Sequence, residues 1–238
     1  MIELKNCSNG DWVSAGAGEL DVINPATSEV LAQVPVSSVD QVEVVVQHAR
    51  QAFAGWRRTP VTDRIQYLFR YKQLLEENLD ELARTISLES GKTLAEAAGE
   101  IRRGIENVEV ACGAPVLLQG YNNEDIAPGI DEHLFRQPLG VVAAITPFNF
   151  PAMIPLWFLP YAIACGNCFI LKPSEKTPLT GARLIELLLE TGIPPGVVSL
   201  VHGTAETVEC LIRHPEVRAI SFVGSTPVAR TVYAEASR

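Results

Sequence analysis

Apolar residues recur at helical spacing through the first third of the chain: Val42, Val45, Val46, Ala49 and Phe53, then Ile65, Leu68, Phe69, Leu75, Leu79, Leu82 and Ile86, then Ala95, Ala98, Ile101, Ile105 and Val108. Three amphipathic helices are predicted. Ser37 and Asp40 have capping-box spacing ahead of the first, with Asp in place of the usual Glu; Thr62 or Asp63 caps the second, and Gly91 ends it. Before them the apolar runs 20–23 and 30–32 flank a turn built on Asn24-Pro25 and Thr27-Ser28-Glu29, which predicts a hairpin. A stretch rich in Asn, Asp, Gly and Pro, 120–137, reads as an exposed excursion with a further hairpin. From Gly140 the period changes: strands at 141–145, 168–171, 197–201 and 219–223 alternate with helices at 152–164, 180–191, 206–214 and 228–237. Short β-branched strands joined by helices predict an α/β fold, a doubly wound parallel sheet with right-handed crossovers and both faces covered.

One segment tests that reading. No charged residue occurs from Gln137 to Leu171, which exceeds the ~20 residues of a membrane-spanning helix. Pro138, Pro147, Pro151, Pro155 and Pro160, with Asn149 and Gly166-Asn167, interrupt any continuous helix of that length. The segment therefore reads as buried strand, loop, buried helix and second strand, and no membrane partner is expected. With 19 Lys+Arg against 28 Asp+Glu the net charge is −9, which argues against a nucleic-acid partner; the basic clusters are only dipeptides such as Arg57-Arg58 and Arg102-Arg103. The opening residues lack the pattern of a secretory signal, so a cytoplasmic location is expected. Five cysteines, an odd number, argue against a disulfide framework. Cys165-Gly166-Asn167-Cys168 has redox spacing, but it falls at a helix end and a strand start, the reverse of a reactive dithiol. No metal site is expected.

In an open parallel sheet, ligands gather beyond the carboxyl ends of the strands. Four loops lie there: 146–150, 172–176, 202–204 and 224–226. They offer Gly203 and Gly224, the hydroxyls of Thr204, Ser225 and Thr226, a cation at Lys172 and a carboxylate at Glu175, a set suited to a nucleotide. Neither G-x-G-x-x-G nor a P-loop is present. Ser225 is open to two roles, an ordinary helix cap or a phosphate-facing hydroxyl at a positive helix end. Glu175 is either a solvated helix-entry acid or an acceptor from ribose hydroxyls that repels a 2′-phosphate and so favours NAD over NADP. Asn149, between two phenylalanines, either stitches its own loop or aims its NH2 at developing oxygen charge.

The ordered motifs Thr146-Pro147-Phe148-Asn149-Phe150-Pro151, Gly166-Asn167, Leu171-Lys172-Pro173-Ser174-Glu175, Gly192-Ile193-Pro194-Pro195-Gly196-Val197 and Phe222-Val223-Gly224-Ser225-Thr226, with Asn24-Pro25 and Glu89-Ser90-Gly91-Lys92-Thr93 upstream, closely resemble the aldehyde dehydrogenase superfamily. Phe148, where most members have Trp, and the run from Arg103 to Glu109 resemble its methylmalonate-semialdehyde branch, which is NAD-dependent and CoA-acylating. The resemblance implies NAD contacts at Thr146, Phe148, Lys172, Glu175, Lys176 and Ser225, with Lys172 and Glu175 at the adenosine ribose and Ser225 at the pyrophosphate. It implies an oxyanion-binding amide at Asn149 and a substrate-carboxylate arginine at Arg103. It divides the chain into an N-terminal hairpin and helices (1–119), an exposed oligomerisation hairpin (120–138) and Rossmann-like NAD-binding units (139–238). Family chemistry uses a cysteine thiolate to attack a small aldehyde, hydride transfer to NAD, and release of the acyl group to CoA or water. None of the five cysteines matches that nucleophile. The expectation is a truncated, coenzyme-binding half, inactive alone and homo-oligomeric in its full-length form. Alternatives are an NAD-binding or assembly fragment without catalysis, and a branch that releases free acid.

Overall fold

The computed structural model describes residues 2–14, 16 and 18–237. Short strands β1 (Ile2–Glu3), β2 (Asn6–Ser8) and β3 (Asp11–Val13) precede a hairpin of β4 (Glu19–Ile23) and β5 (Val30–Pro35). Helices α1 (Val39–Trp56), α2 (Val61–Glu77), α3 (Leu79–Ser90) and α4 (Leu94–Cys112) follow, then the single turn α5 (Ala114–Leu117) and a two-stranded hairpin, β6 (Asn122–Ala127) with β7 (Ile130–His133). The remainder alternates: β8 (Val141–Ile145), α6 (Met153–Ala164), β9 (Cys168–Lys172), α7 (Pro178–Glu190), β10 (Val198–Leu200), α8 (Ala205–Arg213), β11 (Val217–Phe222) and α9 (Thr226–Ala236).

Local chemistry moves several boundaries. The capping box at α1 is one residue later than the spacing suggests: Ser38 accepts from the Gln41 backbone and the Gln41 side chain accepts from the Ser38 N–H. Ser37 is committed elsewhere, since its buried hydroxyl donates to the His202 carbonyl at 2.6 Å and accepts from Asn6 at 2.7 Å. The second predicted helix is two helices, broken at Asn78, whose amide donates to the Leu74 carbonyl at 2.8 Å. Pro60, rather than Thr62 or Asp63, starts α2, its carbonyl accepting from Asp63 and Arg64. Gly91 ends α3 in the left-handed region, at φ 76°. Pro160 lies inside α6 without ending it.

The main sheet has the order β11-β8-β9-β10-β2-β3. Its first four strands are parallel as the pattern predicts, but β2 and β3 extend it antiparallel, so the sheet is mixed. In register, Ile145 faces Lys172 and Phe222, and Leu200 faces Leu171, so the four carboxyl ends come out along one edge. The chain runs outward from β8 through β9 to β10, then returns past β8 to β11. That reversal places the switch point of the fold between β8 and β11, and right-handed crossovers then put α8 on the face opposite α6 and α7. α8 packs against α1, which covers β8, β9 and β10; α6 and α7 pack against α2, and α4 against α6. Strand β9 is buried along its whole length, as a strand covered on both faces must be.

Candidate functional site

At the carboxyl end of β9, Lys172 is 4% exposed and its Nζ lies 3.2 Å from the Glu175 carboxylate. Burial pushes the Lys172 ammonium below its ordinary range, against the pull of Glu175. Burial opposes the charge on Glu175, but the attraction of Lys172, its own backbone N–H and Lys176 together hold its carboxyl below the usual range. Glu175 is therefore charged at neutral pH. Thr146, buried beside them, donates its N–H to the Lys172 carbonyl at 3.1 Å and ties the end of β8 to β9. Phe148 is exposed, with the Lys176 ammonium 5.0 Å from its ring centre. Phe148, Glu175 and Lys176 line one wall of a cleft of about 590 Å³, whose other wall is Leu20, Asp21, Ile23 and Pro25 of the first hairpin with Glu89 and Ser90.

The four helices that follow these strands differ in how their N-termini are treated. A helix leaves its first N–H groups without internal partners. At α6 they are met by Glu100, which has no exposed surface: its Oε1 accepts from Ala152 at 2.9 Å and Met153 at 3.2 Å, and Lys92 grips the other oxygen at 2.5 Å. At α7 they are met by Glu89, which accepts from Leu179 and from both the backbone and the hydroxyl of Thr180. Neither carboxylate was singled out from the sequence, although each is an acid on an otherwise apolar helix stripe, Ile86 before Glu89 and Ala97, Ile101 around Glu100. At α8 and α9 no side chain caps the end among the described residues. Thr204 and Ser225 stand at the cap positions with extended backbone, yet neither hydroxyl makes the cap hydrogen bond. Ser225 occupies the N-cap, its carbonyl accepting from Ala229 at 2.9 Å, while its hydroxyl is left out of the cap.

Between α8 and α9, along their length, lies a slot of about 160 Å³ whose lining is apolar at Ala205, Val208, Ile212, Val228 and Val232 and charged at Glu209, Arg213 and Glu235. Sequence reasoning missed it; the signal is the helical spacing of those positions. The loop before α8 is fixed from the far end of the chain: Asn6 accepts from the His202 N–H at 2.8 Å, and Ser37 holds the His202 carbonyl. Burial, then the neighbouring Lys172 charge, drives the His202 imidazole down to about 3, so it is neutral. Gly203 sits at φ 151°, where a Cβ would also collide with the Thr207 hydroxyl.

Asn149 is exposed, and its side chain makes no hydrogen bond among the described residues, so the structure gives no support to a stitching role. The adjacent Phe150 ring lies 3.9 Å from the Lys92 ammonium and 5.8 Å from the Arg103 guanidinium. Arg103 is otherwise solvent-facing, with its Nε donating to the Gly99 carbonyl at 3.3 Å. Phe150 thus joins Arg103 to the Asn149 loop, while Lys172, Glu175, Lys176, Phe148 and Thr146 form a second group; Ser225 follows β11 on the other side of β8.

All five cysteines are free thiols. Burial raises every one, Cys7 and Cys168 to about 12, and Cys112, Cys165 and Cys210 less far. None has the lowered pKa of an activated thiolate. No cluster of potential metal ligands, and no helix long and apolar enough to cross a membrane, occurs among the described residues.

The aldehyde dehydrogenase family model matches residues 12–238, and the chain belongs to that family. Malonate-semialdehyde dehydrogenase 2 of Geobacillus kaustophilus is 53% identical over 235 residues, covering 98% of this chain and 49% of that protein. A crystal structure of methylmalonate-semialdehyde dehydrogenase from Oceanimonas doudoroffii superimposes with a TM-score of 0.97 at 48% identity, over 100% of this chain and 49% of that one. A putative methylmalonate-semialdehyde dehydrogenase from Sinorhizobium meliloti, complexed with NAD, gives 0.96 at 43% identity over 100% and 48%. The chain spans about half the length of the curated relatives it matches.

Proposed function

We propose that this member of the aldehyde dehydrogenase family forms the NAD-holding half of an enzyme that oxidises a small carboxylated semialdehyde, malonate or methylmalonate semialdehyde, to an acyl-CoA. The observation that carries the reading is the pair of helix ends at α8 and α9 left without a side-chain cap, with a largely apolar slot between the two helices, on the same edge of the sheet as the Lys172–Glu175 ion pair. Free N–H groups and the positive helix end at Ser225 suit a pyrophosphate. The slot suits a flat adenine ring, and the Lys172 ammonium with the Glu175 carboxylate suits the two hydroxyls of a ribose. These residues fit the dinucleotide, with the Lys172–Glu175 contact opening to take the ribose hydroxyls. Bound there, NAD supplies a hydride acceptor.

In this reading Thr146 and Phe148 line the nicotinamide side, and Lys176 stays over the Phe148 ring. Asn149 donates its free amide to oxygen charge developing on the aldehyde, and Arg103 pairs with the substrate carboxylate through its guanidinium fork. The nucleophile is not among the five raised thiols, so the 238-residue chain alone does not turn over. The segment 120–138 is proposed as an oligomerisation hairpin, since Phe135 within it and Leu139 next to it are 81% and 63% exposed.

Calorimetric titration of the chain with NAD and NADP tests the cofactor assignment. Saturable NAD binding that weakens at least roughly tenfold in Lys172→Ala is expected, because a hydrogen bond from a charged group is at stake. Glu175→Gln is expected to narrow the preference for NAD over NADP. A folded chain that binds neither dinucleotide overturns the reading.

A further inference from the structure

At the opposite end of the sheet, a cavity of about 550 Å³ is lined by four arginines, Arg50, Arg57, Arg58 and Arg218, and by one carboxylate, Glu216. That balance runs against a chain whose net charge is −9. Glu216 is engaged by Arg50 at 3.0 Å. The other three guanidiniums form no ion pair among the described residues.

The arginines are held toward the cavity by distinct devices. Arg218 is the extra residue of a β-bulge: Val217 pairs with Val141 and Ala219 with Val142, leaving Arg218 without an opposite number. A bulge re-aims the side chain it carries. The Arg218 stem then lies across Gly140, where a Cβ would come within 3.1 Å of its Cγ, so the glycine makes room for it. Arg57 lies over the Phe53 ring at 5.4 Å from the centre, and the salt bridge to Glu216 fixes Arg50. Buried Val141 and exposed Leu139 add apolar lining. Guanidinium forks around a concave pocket are the chemistry that recognises phosphate oxygens bidentately, and the volume is that of a small-molecule site.

We infer that this cavity is a second anion site, built for a small phosphate-bearing ligand and separate from the cofactor end of the sheet. The probe is inorganic pyrophosphate, titrated calorimetrically into the full 238-residue chain, into the same chain saturated with NAD and into the double variant Arg57→Ala/Arg218→Ala. Circular dichroism verifies that the variant is folded; Arg57 and Arg218 are surface positions. The expected result is saturable binding that falls roughly tenfold or more in the arginine double variant, persists in the NAD-saturated chain, and weakens as salt is raised. Three results overturn the inference: no saturable binding to the wild-type chain, equal binding to the arginine variant, or loss of binding in the NAD-saturated chain, which would place the anion at the cofactor end. The inference is independent of dinucleotide binding, so failure of one leaves the other standing.

Discussion

Replacing Glu100 by alanine strips the start of α6 of its only side-chain acceptor among the described residues, and the cost follows from the contacts. Two backbone N–H groups, at Ala152 and Met153, lose a fully buried charged partner. Each unsatisfied buried group costs about 1–3 kcal/mol. Lys92 loses its carboxylate as well, but its side chain is 20% exposed and recovers water, so that part counts for less. The sum is about 2–6 kcal/mol, equivalent to roughly 10 °C in Tm for a chain of this size. Lys92→Met leaves Glu100 bonded to the helix end but removes the cation that offsets a fully buried charge, and is expected to cost a comparable amount, about 3–5 kcal/mol. Urea unfolding followed by two probes gives both values, and amide exchange reads the site itself, with faster exchange expected at Ala152 and Met153. Because α6 begins immediately after the Asn149 loop, the same variant is expected to disorder that loop. A loss below about 1 kcal/mol with unchanged exchange at those two amides would refute the reasoning, since an unsatisfied buried pair cannot cost so little.

Burial pushes the Glu89 carboxyl up to about 7 from an ordinary 4.5; an acid raised in the folded state contributes stability at low pH that is lost as pH rises through that value. The chain is therefore expected to lose up to ~3 kcal/mol between about pH 5 and pH 8, and Glu89→Gln to flatten that slope; parallel profiles in urea melts would contradict it. Val228→Trp fills the slot between α8 and α9 and is expected to abolish NAD binding while leaving the far-ultraviolet spectrum intact. Gly203→Ala forces a Cβ into the Thr207 hydroxyl at a left-handed φ and is expected to cost about 1–3 kcal/mol, read by thermal melting, and to weaken NAD as well. Substituting all five cysteines by serine is expected to leave NAD affinity unchanged within error provided the chain folds, because none of the thiols lines the slot or the Lys172 cleft.

The alternating half of the chain was legible because its strands are continuous apolar runs and its helices keep one period; β8 and α6 appear within a residue of their expected limits. What escaped was governed by partners distant in sequence. β2 and β3 are three residues each, too short for any periodicity to register. Ser37 and Ser38 offer the same cap chemistry, and only the pull of His202 and Asn6 on Ser37 decides between them. The break at Asn78 interrupts a stripe that remains in phase on both sides. The site loops were legible by position, since ligands gather at strand carboxyl ends whatever the sequence. Which helix ends stay open was not, because Glu89 and Glu100 come from helices that the motif pattern treats as scaffold.

The hydrogen bond between Asn6 and His202 spans 196 residues, and β2 has no place to dock until β10 exists. Closing so long a loop is slow relative to the local helix contacts that precede it. During synthesis β1 can pair with β5 early, but β2 must wait beside its sheet while α1 to α7 assemble, and the sheet edge at β10 stays bare until β2 joins it. That edge is buried in the finished chain. A leading tag or an early truncation would lengthen the interval in which it can pair with another copy instead, making the N-terminus the place where yield, rather than chemistry, is decided.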